Sequence, residues 1–237
     1  MGRVLGTSTS RKQVDRLAKQ SISNFIRYVF EFMCLATMKP EEIKKKVLIR
    51  GWDNLEEALI AGNGVILAGV HEGNYDMCAA AVALRGYPMN VVTYTLASAK
   101  FNEWVQSKRR RNKINVISMD GGKKRMLQAL QRNEILAILI DIPADDGGVE
   151  VNFFGAITRI PGGAASLALR TKAKILPIFL TRLADGSFHG VFGKPIGIEN
   201  SENHHNGVQP LMQKIIDVQE EFITQDPGQW YIFRRLW

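Results

Sequence analysis

Residues 65–76 read VILAGVHEGNYD, a run of uncharged and mostly apolar residues that ends in a polar cluster. Short apolar runs bounded by glycine are typical of strands that are covered on both faces of a sheet. The cluster contains His71 and Asp76, and it comes where such a strand would end. We therefore predict a buried strand that presents polar side chains at its carboxyl end.

The same pattern returns at residues 135–141, ILAILID, where a second apolar run ends on Asp141. Helical patterns separate the two runs and follow the second one. Strands that alternate with helices predict an α/β fold, in which a mostly parallel central sheet carries helices on both faces. Ligands of such sheets bind beyond the carboxyl ends of the strands, so His71 and Asp141 are candidate site residues.

The chain is predicted to form a single domain over residues 1–237. Its 46% hydrophobic and 23% charged residues are ordinary for a globular protein, and we see no linker and no internal repeat. An N-terminal helical segment at about 13–61 includes EEIKKKVLI, residues 41–49, as a helix. The α/β core follows at about 62–237.

The N-terminal segment opens with a long amphipathic helix at residues 13–38, in which apolar residues recur at steps of three and four. Phe30 and Phe32 widen its apolar stripe beyond what one core face requires. One interpretation is a helix packed on the domain, and the other is a helix whose spare aromatic surface lies in a membrane interface. Its most apolar part, residues 22–36, is shorter than the roughly 20 residues of a spanning helix, so we expect it not to cross a bilayer. We also expect no export signal.

The formal net charge of +8 favours an anionic partner, such as an anionic membrane surface, an acidic protein, a phosphorylated substrate or nucleic acid. Nucleic acid is disfavoured, because no recognition motif accompanies the basic run KRRRNK at residues 108–113 and its arginines are not interleaved with aromatic residues. The two cysteines lack CxxC or metal-type spacing, which favours a reducing compartment.

A histidine at a strand end, with an aspartate in the following turn, can form a catalytic pair. If Asp76 lies in the first turn of the next helix, its carboxylate can accept a hydrogen bond from Nδ1 of His71 and leave Nε2 free as a base. No serine or cysteine lies at a tight elbow such as GxSxG, so we infer that the nucleophile is a hydroxyl or amine of the substrate. The alternative is an ordinary buried histidine that is hydrogen-bonded to its neighbour.

Gly162 and Gly163 precede an alanine-rich helix, and Arg159 stands just upstream of them. Free amides at a helix start attract anions, so Arg159 and Gly162 are candidate substrate-binding residues. Close packing of the helix on a strand would explain the same glycines without a ligand, and both interpretations stay open.

No metal site is predicted. His204 and His205 lie in a polar stretch without matching carboxylates or cysteines, and adjacent histidines of this kind are more often solvated than metal-bound. Asp145 and Asp146 lack the alternating oxygen ligands of a calcium loop, which favours a surface turn.

The hexapeptide at residues 71–76 resembles the HX4D/E signature of the lysophospholipid acyltransferase superfamily, and within it the branch of bacterial lipid A late (lauroyl/myristoyl) acyltransferases. Relatives of that branch include the phosphatidylinositol mannoside acyltransferases. The likeness continues through the basic run at 108–111, the segment that ends in Asp141, the stretch VEVNFFGAITRIPGGAASLALRTKAKILPIFLTRL at 149–183 and the ending PGQWYIFRRLW at 227–237. These landmarks keep the family's order and cover about residues 15–237.

The resemblance implies a glycerol-phosphate-acyltransferase-like fold and O-acyl transfer with His71 and Asp76 as a catalytic pair. His71 would be the general base that removes a proton from an acceptor hydroxyl, and Asp76 would orient and charge it. The attacked carbonyl would belong to a thioester of acyl carrier protein or coenzyme A, which serves as co-substrate, and no other cofactor is implied. The acceptor would be a lipid or glycolipid.

The resemblance also implies roles for two further residues. Arg110 lies closest to the family's basic position, where it would bind phosphate or stabilise an oxyanion, and Arg109 and Arg111 are near enough that the choice among the three stays open. Asp141 matches an aspartate of the family's mid-chain segment and would have a structural or acceptor-orienting role.

These features together predict a peripheral membrane acyltransferase at the cytoplasmic face of the inner membrane, attached through surface aromatic and basic residues. Lipid A enzymes commonly begin with a membrane-spanning helix, which we do not expect here, and many have glutamate where this chain has Asp76, so the acceptor lipid stays open. One alternative is a basic membrane-surface or nucleic-acid-binding protein with a non-catalytic HX4D motif. Another is a metal-dependent hydrolase built on His71, Glu72 and Asp76.

Overall fold

The structure is a computed structural model, which describes residues 1–6, 9–144, 147–197 and 204–237, the last range without the side chains of 204–206. The strands are β1 (Val47–Arg50), β2 (Val65–Gly69), β3 (Met89–Thr93), β4 (Ile114–Ser118), β5 (Ile135–Leu139), β6 (Val149–Phe153), β7 (Ala156–Ile160), β8 (Lys174–Arg182) and β9 (Phe188–Phe192). The helices are α1 (Gly2–Leu5), α2 (Arg11–Leu35), α3 (Pro40–Lys46), α4 (Trp52–Ile60), α5 (Tyr75–Leu84), α6 (Ala99–Arg111), α7 (Lys123–Gln131), α8 (Gly163–Thr171) and α9 (His204–Gln225). A 3-10 turn at Pro227–Gln229 follows α9.

Within the described ranges, seven strands form one sheet in the order β1-β9-β8-β2-β5-β3-β4. Neighbouring strands in this sheet are parallel, except that β8 and β9 are antiparallel. Strands β6 and β7 form a separate antiparallel hairpin. The predicted α/β fold with a mostly parallel central sheet is confirmed.

Strand β2 lies between β8 and β5, and all of its residues are buried. Its side chains alternate between two cores, as the pleat of a strand requires. Ile66 and Ala68 join the core that contains α7, α8 and α9, whereas Leu67 joins the core that contains α5. The prediction of a strand covered on both faces is therefore confirmed, with helices on both sides of the sheet.

Residues 47–50 form β1 and not the end of a helix, which corrects the predicted helical segment at about 13–61. Helix α3 stops at Lys46, and buried and exposed side chains then alternate along the strand. Strand β1 pairs in parallel with β9 at the edge of the sheet. The sequence prediction missed this strand because its partner lies far along the chain, where a local pattern does not show it.

Helix α2 is anchored to the domain through one polar and aromatic face. Its start is fixed by a capping box, in which Ser10 and Gln13 each accept a hydrogen bond from the backbone N–H of the other. The buried side chains of the helix are those of Ser21, Asn24, Tyr28, Phe32 and Leu35. Asn24 donates from Nδ2 to the carbonyl of Gly228 at 2.9 Å, which ties the helix to the C-terminal segment.

The apolar stripe that the sequence predicts on α2 lies largely on the outside. Its exposed large residues are Ile22, Ile26, Val29, Phe30 and Met33. The helix therefore packs on the domain and also keeps spare apolar surface, which combines the two interpretations of its sequence. Among the residues that the structure describes, no helix is both long and apolar enough to cross a membrane.

Candidate active site

His71 and Asp141 lie side by side at the carboxyl edge of the sheet. Gly69 at the end of β2 is in register with Leu139 at the end of β5, so the residues two positions further along meet. Nδ1 of His71 is 2.7 Å from Oδ1 of Asp141, and the backbone N–H of His71 donates to Oδ2 at 2.9 Å. Asp141 thereby holds the imidazole in the tautomer that has its proton on Nδ1 and a lone pair on Nε2.

Asp141 is fully buried, and its charge is stabilised by hydrogen bonds. Besides the two bonds from His71, the indole Nε1–H of Trp230 donates to Oδ2 at 2.8 Å. Burial by itself would raise the pKa of Asp141, but the charge and hydrogen bonds of His71 and the bond from Trp230 outweigh burial and lower it. The carboxylate therefore stays ionised and can stabilise an imidazolium.

Asp76 lies in the first turn of α5, as predicted, but it binds other partners. Its carboxylate accepts from Nε of Arg109 at 2.6 Å, from Nη2 of Arg109 at 3.0 Å and from the hydroxyl of Tyr28 at 2.8 Å. The prediction that Asp76 accepts from Nδ1 of His71 is therefore wrong, because Asp141 on the neighbouring strand takes that bond. A catalytic contribution of Asp76 stays a prediction.

Of the consecutive arginines at the end of α6, the structure places Arg109 in the site. Its side chain is only 12% exposed, its Nη1 donates to Gln106 at 2.9 Å, and its guanidinium lies over the ring of Phe32. The side chain of Arg110 is 47% exposed and pairs with Glu103. Successive residues of a helix point about 100° apart, so only one of these neighbours can face the site. The predicted position for Arg110 is therefore corrected in favour of Arg109.

Arg159 and Gly162 lie on the β6–β7 hairpin and at the start of α8. Arg159 is exposed and pairs with Glu150 across the hairpin at 3.3 Å. A Cβ at Gly162 would lie 2.9 Å from Cγ1 of Val208 and 3.2 Å from Cγ1 of Val149. This observation supports close packing at Gly162. The described walls of the two cavities discussed below contain neither residue, and their predicted binding of substrate stays a prediction.

Two other sequence predictions fall outside the described residues, which include neither Asp145 and Asp146 nor the side chains of His204 and His205. In the part of the chain that is described, no group of three or more His, Cys, Asp and Glu side chains is arranged to hold a metal ion.

Glu72 is a buried carboxyl group beside His71. It is 5% exposed and accepts a hydrogen bond from the backbone N–H of Leu180 on β8 at 3.0 Å. Burial raises the pKa of Glu72 to about 8, although the bond from Leu180 acts in the opposite direction. His71, Glu72 and Asp76 thus bind three different partners and do not converge as the metal-dependent hydrolase alternative requires.

The raised pKa of Glu72 predicts a pH-dependent stability. Between the ordinary carboxyl value of 4.5 and about 8, the folded protein keeps a proton on Glu72 that the unfolded chain has lost. This group therefore lowers the free energy of unfolding as the pH rises through that window, by up to about 1.4 kcal/mol per unit. Glu72→Gln keeps an oxygen acceptor for Leu180, and we expect it to be about 1–3 kcal/mol more stable than the parent at pH 7.

Urea unfolding at pH 5 and pH 7 measures this effect. The stability gain of Glu72→Gln should be larger at pH 7 than at pH 5, whereas Glu57→Gln, at an exposed position of α4, should change neither value. An equal pH dependence in the parent and in Glu72→Gln would contradict the raised pKa.

The C-terminal segment closes over the motif and holds its backbone. The backbone N–H of Tyr231 donates to the carbonyl of His71 at 2.7 Å, and the hydroxyl of Tyr231 donates to the carbonyl of Gly73. Gly73 has a φ of 56°, and a Cβ there would lie 2.5 Å from the carbonyl oxygen of Leu180, so the turn requires glycine. Trp230, the neighbour of Tyr231, binds Asp141. The sequence shows these aromatic residues as landmarks but not what they contact.

Helix α2 also contacts the motif, through residues that the sequence prediction did not single out. Nη2 of Arg182 donates to Oε2 of Glu31 at 2.8 Å, and Nη1 pairs with Oε1. Asn74 of the motif donates from Nδ2 to the same Oε2 at 2.8 Å. Together with the bond from Tyr28 to Asp76, these contacts fix the motif against the helix that has the exposed apolar face.

Two connected cavities open beside His71. The outer cavity has about 710 Å³ of free space counted to its open mouth, and His71 lies in its wall. The inner cavity has about 640 Å³ counted in the same way, and it lies between the sheet and α5. The residues that line both are Tyr75, Val92, Thr93, Arg109 and Leu139. The inner walls are otherwise mostly aliphatic, so an apolar chamber adjoins the histidine.

A base and an apolar chamber that meet at one point suit a particular chemistry. The Nε2 lone pair of His71 can take a proton from a hydroxyl, and the inner cavity can bury a hydrocarbon chain next to it. Transfer of an acyl chain requires both. The fold and the site thus correspond to the class of acyl-transferring enzymes.

Comparison with known proteins agrees with this class. The family described as "Bacterial lipid A biosynthesis acyltransferase" matches residues 1–237, the whole chain. The chain belongs to the bacterial lipid A biosynthesis acyltransferase family, and it is an acyltransferase.

Individual relatives fall into two groups. Phosphatidylinositol mannoside acyltransferase of Mycobacterium tuberculosis is 27% identical over 243 residues, which cover 100% of this chain and 75% of the relative. The protein of the same name from Mycolicibacterium smegmatis is 25% identical over 94% of this chain and 73% of its own. Lipid A biosynthesis palmitoleoyltransferase of Escherichia coli is 26% identical over 81% of this chain and 62% of its own. The predicted resemblance is therefore confirmed.

Proposed function

We propose that this acyltransferase moves a fatty acyl chain from a thioester of acyl carrier protein or coenzyme A to a hydroxyl of a lipid or glycolipid acceptor. The observation that carries the proposal is the bond between Nδ1 of His71 and Asp141 beside an apolar cavity. The acceptor class follows the names of the relatives, which include a phosphatidylinositol mannoside acyltransferase and a lipid A biosynthesis enzyme.

In the proposed reaction, His71 handles the proton throughout. Nε2 takes the proton of the acceptor hydroxyl as its oxygen attacks the thioester carbonyl carbon, and Asp141 stabilises the imidazolium that forms. When the tetrahedral intermediate collapses, the carbon–sulfur bond breaks and the imidazolium gives its proton to the leaving thiolate. Asp141 thus takes the orienting role that the sequence assigns to Asp76.

Arg109 is proposed to stabilise negative charge at the mouth of the inner cavity. It lines both cavities, so its guanidinium is close to where a carbonyl oxygen would become an oxyanion or where a donor phosphate would bind. Asp76 then has a positioning role, because its two bonds to Arg109 fix the direction of the guanidinium.

The exposed face of α2 is proposed to lie in the headgroup region of a membrane. The five apolar residues named above form a stripe on this face, and Phe30 alone is 62% exposed. Contiguous exposed apolar surface on an amphipathic helix marks an interaction site. Arg16, Lys19 and Arg27 on the same helix are exposed and would attract anionic headgroups. We place the protein at the cytoplasmic face of the inner membrane as a peripheral enzyme.

Loss of the apolar stripe should weaken membrane binding. The double variant Ile26→Asp with Phe30→Asp is expected to bind vesicles that contain anionic lipid at least about tenfold more weakly, because two apolar side chains no longer enter the interface. Vesicle sedimentation measures the binding. Ile60→Asp, at an equally exposed apolar position on α4, is the control and should bind like the parent. Equal binding of the double variant would show that α2 does not face the membrane.

Thiol release tests the function directly. The parent is incubated with acyl carrier protein or coenzyme A thioesters, with and without a set of hydroxylated membrane lipids and glycolipids. Release that depends on the acceptor, with the acylated lipid detected by mass spectrometry, would support the proposal. Release at the same rate with and without every acceptor would indicate a thioesterase and contradict it.

A further inference from the structure

The inner cavity is lined by one face of four adjacent strands and by helix α5. The lining residues alternate along the strands, as in residues 67 and 69 of β2, 89, 91 and 93 of β3, 137 and 139 of β5, and 178 and 180 of β8. Helix α5 covers them with Cys78, Ala79 and Val82. The cavity is therefore a gap in the layer between the sheet and one helix.

The gap exists because small residues face each other across this layer. Gly69 on β2, Ala137 on β5 and Ala79 on α5 all line it, in positions where large aliphatic side chains would otherwise fill the core. Gly69 has no room for more, because a Cβ there would lie 3.0 Å from Cγ2 of Ile178. Ala137 borders the free space at the centre of the sheet, where β5 runs between β2 and β3.

Burial of the lining residues shows where the cavity ends. Val91 and Ala137 lie in the middle of a sheet beneath α5, yet they are only partly buried, because the free space reaches them. Leu67, Val82 and Met89 line the same cavity but are 0%, 0% and 2% exposed. These three residues form its floor.

The register of the strands gives the depth of the cavity. Met89 is level with Ile135, which is level with Val65, six residues before His71 on β2. At about 3.3 Å per residue, the floor is roughly 20 Å from the level of His71. An extended hydrocarbon with single bonds of about 1.5 Å advances about 1.25 Å per bond, so this distance accommodates about 16 carbons.

We infer that Val82 and Met89 limit the acyl chain to about 16 carbons, and that Ala137 is the residue whose small size admits a chain this long. This selectivity rests on the proposed function, since the acyl carbonyl must lie beside His71. Ala137 is in register with Leu67, four residues before His71, so a larger side chain at 137 blocks the chain about 7 Å above the floor. The limit then falls by about five carbons.

The experiment uses saturated free fatty acids of 8 to about 20 carbons, with affinity measured by competition against a fluorescent fatty acid. Each CH₂ that enters the apolar cavity should improve affinity about fourfold until the chain reaches the floor, and longer chains should gain nothing more. We expect this break near 16 carbons in the parent and near 11 in Ala137→Leu. Because the leucine fills free space, the variant should fold like the parent.

Two further variants complete the design. Met89→Ala should move the break two or three carbons upward, since it lowers the floor. Ala61→Leu, at an exposed position at the end of α4, is the matched control and should leave the break unchanged. The same chain series is then measured as acyl thioesters in the transfer assay with the parent and Ala137→Leu.

The two readouts separate the selectivity from the reaction. A break that stays at the same length in Ala137→Leu, or a parent without any break, overturns the assignment of the floor. A break that moves as expected, together with no transfer from any thioester, supports the assignment of the floor and overturns the proposed function. Transfer whose chain-length preference is identical in the parent and Ala137→Leu supports the function and overturns the role of Ala137.

Discussion

Replacing His71 with alanine is expected to slow acyl transfer by about 10²- to 10⁴-fold, because the acceptor hydroxyl loses its general base. Asp141→Asn is expected to cost nearly as much. An asparagine does not keep the proton on Nδ1 of His71, and it cannot stabilise the imidazolium. Both losses should appear in kcat more than in KM, and the rate of thiol release at varied acceptor concentration measures them.

Asp76→Asn separates the two possible partners of His71. If Asp141 is the partner, Asp76→Asn should lose less activity than Asp141→Asn and should keep the pH–rate profile of the parent. Circular dichroism and the urea midpoint establish that each variant is folded. A folded His71→Ala variant as fast as the parent would remove His71 from the mechanism. A larger loss in Asp76→Asn than in Asp141→Asn would restore the pair that the sequence predicts.

Arg109→Ala is expected to lower the free energy of unfolding by about 3–5 kcal/mol, because it leaves the carboxylate of Asp76 buried without its cationic partner. Asp76 is 2% exposed, and the hydroxyl of Tyr28 would be its remaining side-chain donor among those described above. Burial by itself would lower the pKa of Arg109, but the charge and hydrogen bonds of Asp76 raise it above its usual value, so the pair is ionised. Urea unfolding at neutral pH measures the loss.

Arg110→Ala is the matched control for this loss. It removes the next residue of the same helix, whose partner Glu103 is on the surface, and it should change the stability by less than about 1 kcal/mol. The double variant Arg109→Ala with Asp76→Ala should recover part of the stability, because no charge is then buried alone. Equal effects of Arg109→Ala and Arg110→Ala would contradict the placement of Arg109 in the site.

Much of the fold could be predicted from local patterns. The apolar runs that become β2 and β5 are short, continuous and separated by helical patterns, which is sufficient to predict parallel strands buried between helices. The rule that ligands bind at the carboxyl ends of such strands then selects His71 and Asp141. The family resemblance adds the acyl-transfer chemistry, which composition and charge do not provide.

Other features depend on partners that are distant in sequence. Strand β1 was assigned to a helix because its pairing with β9 is not visible locally. The stripe on α2 predicts an amphipathic helix, but its polar and aromatic side faces the domain and its apolar side faces outward. The side that packs is selected by what the C-terminal segment and the motif offer, namely backbone carbonyls and the carboxylate of Asp76.

By itself, the sequence determined that the protein is an α/β acyltransferase with His71 at the end of a buried strand, because periodicity and an ordered set of motifs are local properties of a chain. Only the tertiary structure decided that Asp141 holds His71, that Arg109 and not Arg110 meets Asp76, and how deep the inner cavity is. Each of these depends on the register of neighbouring strands or on the rotation of a helix against the core. Both are set by packing between residues that are far apart in the chain.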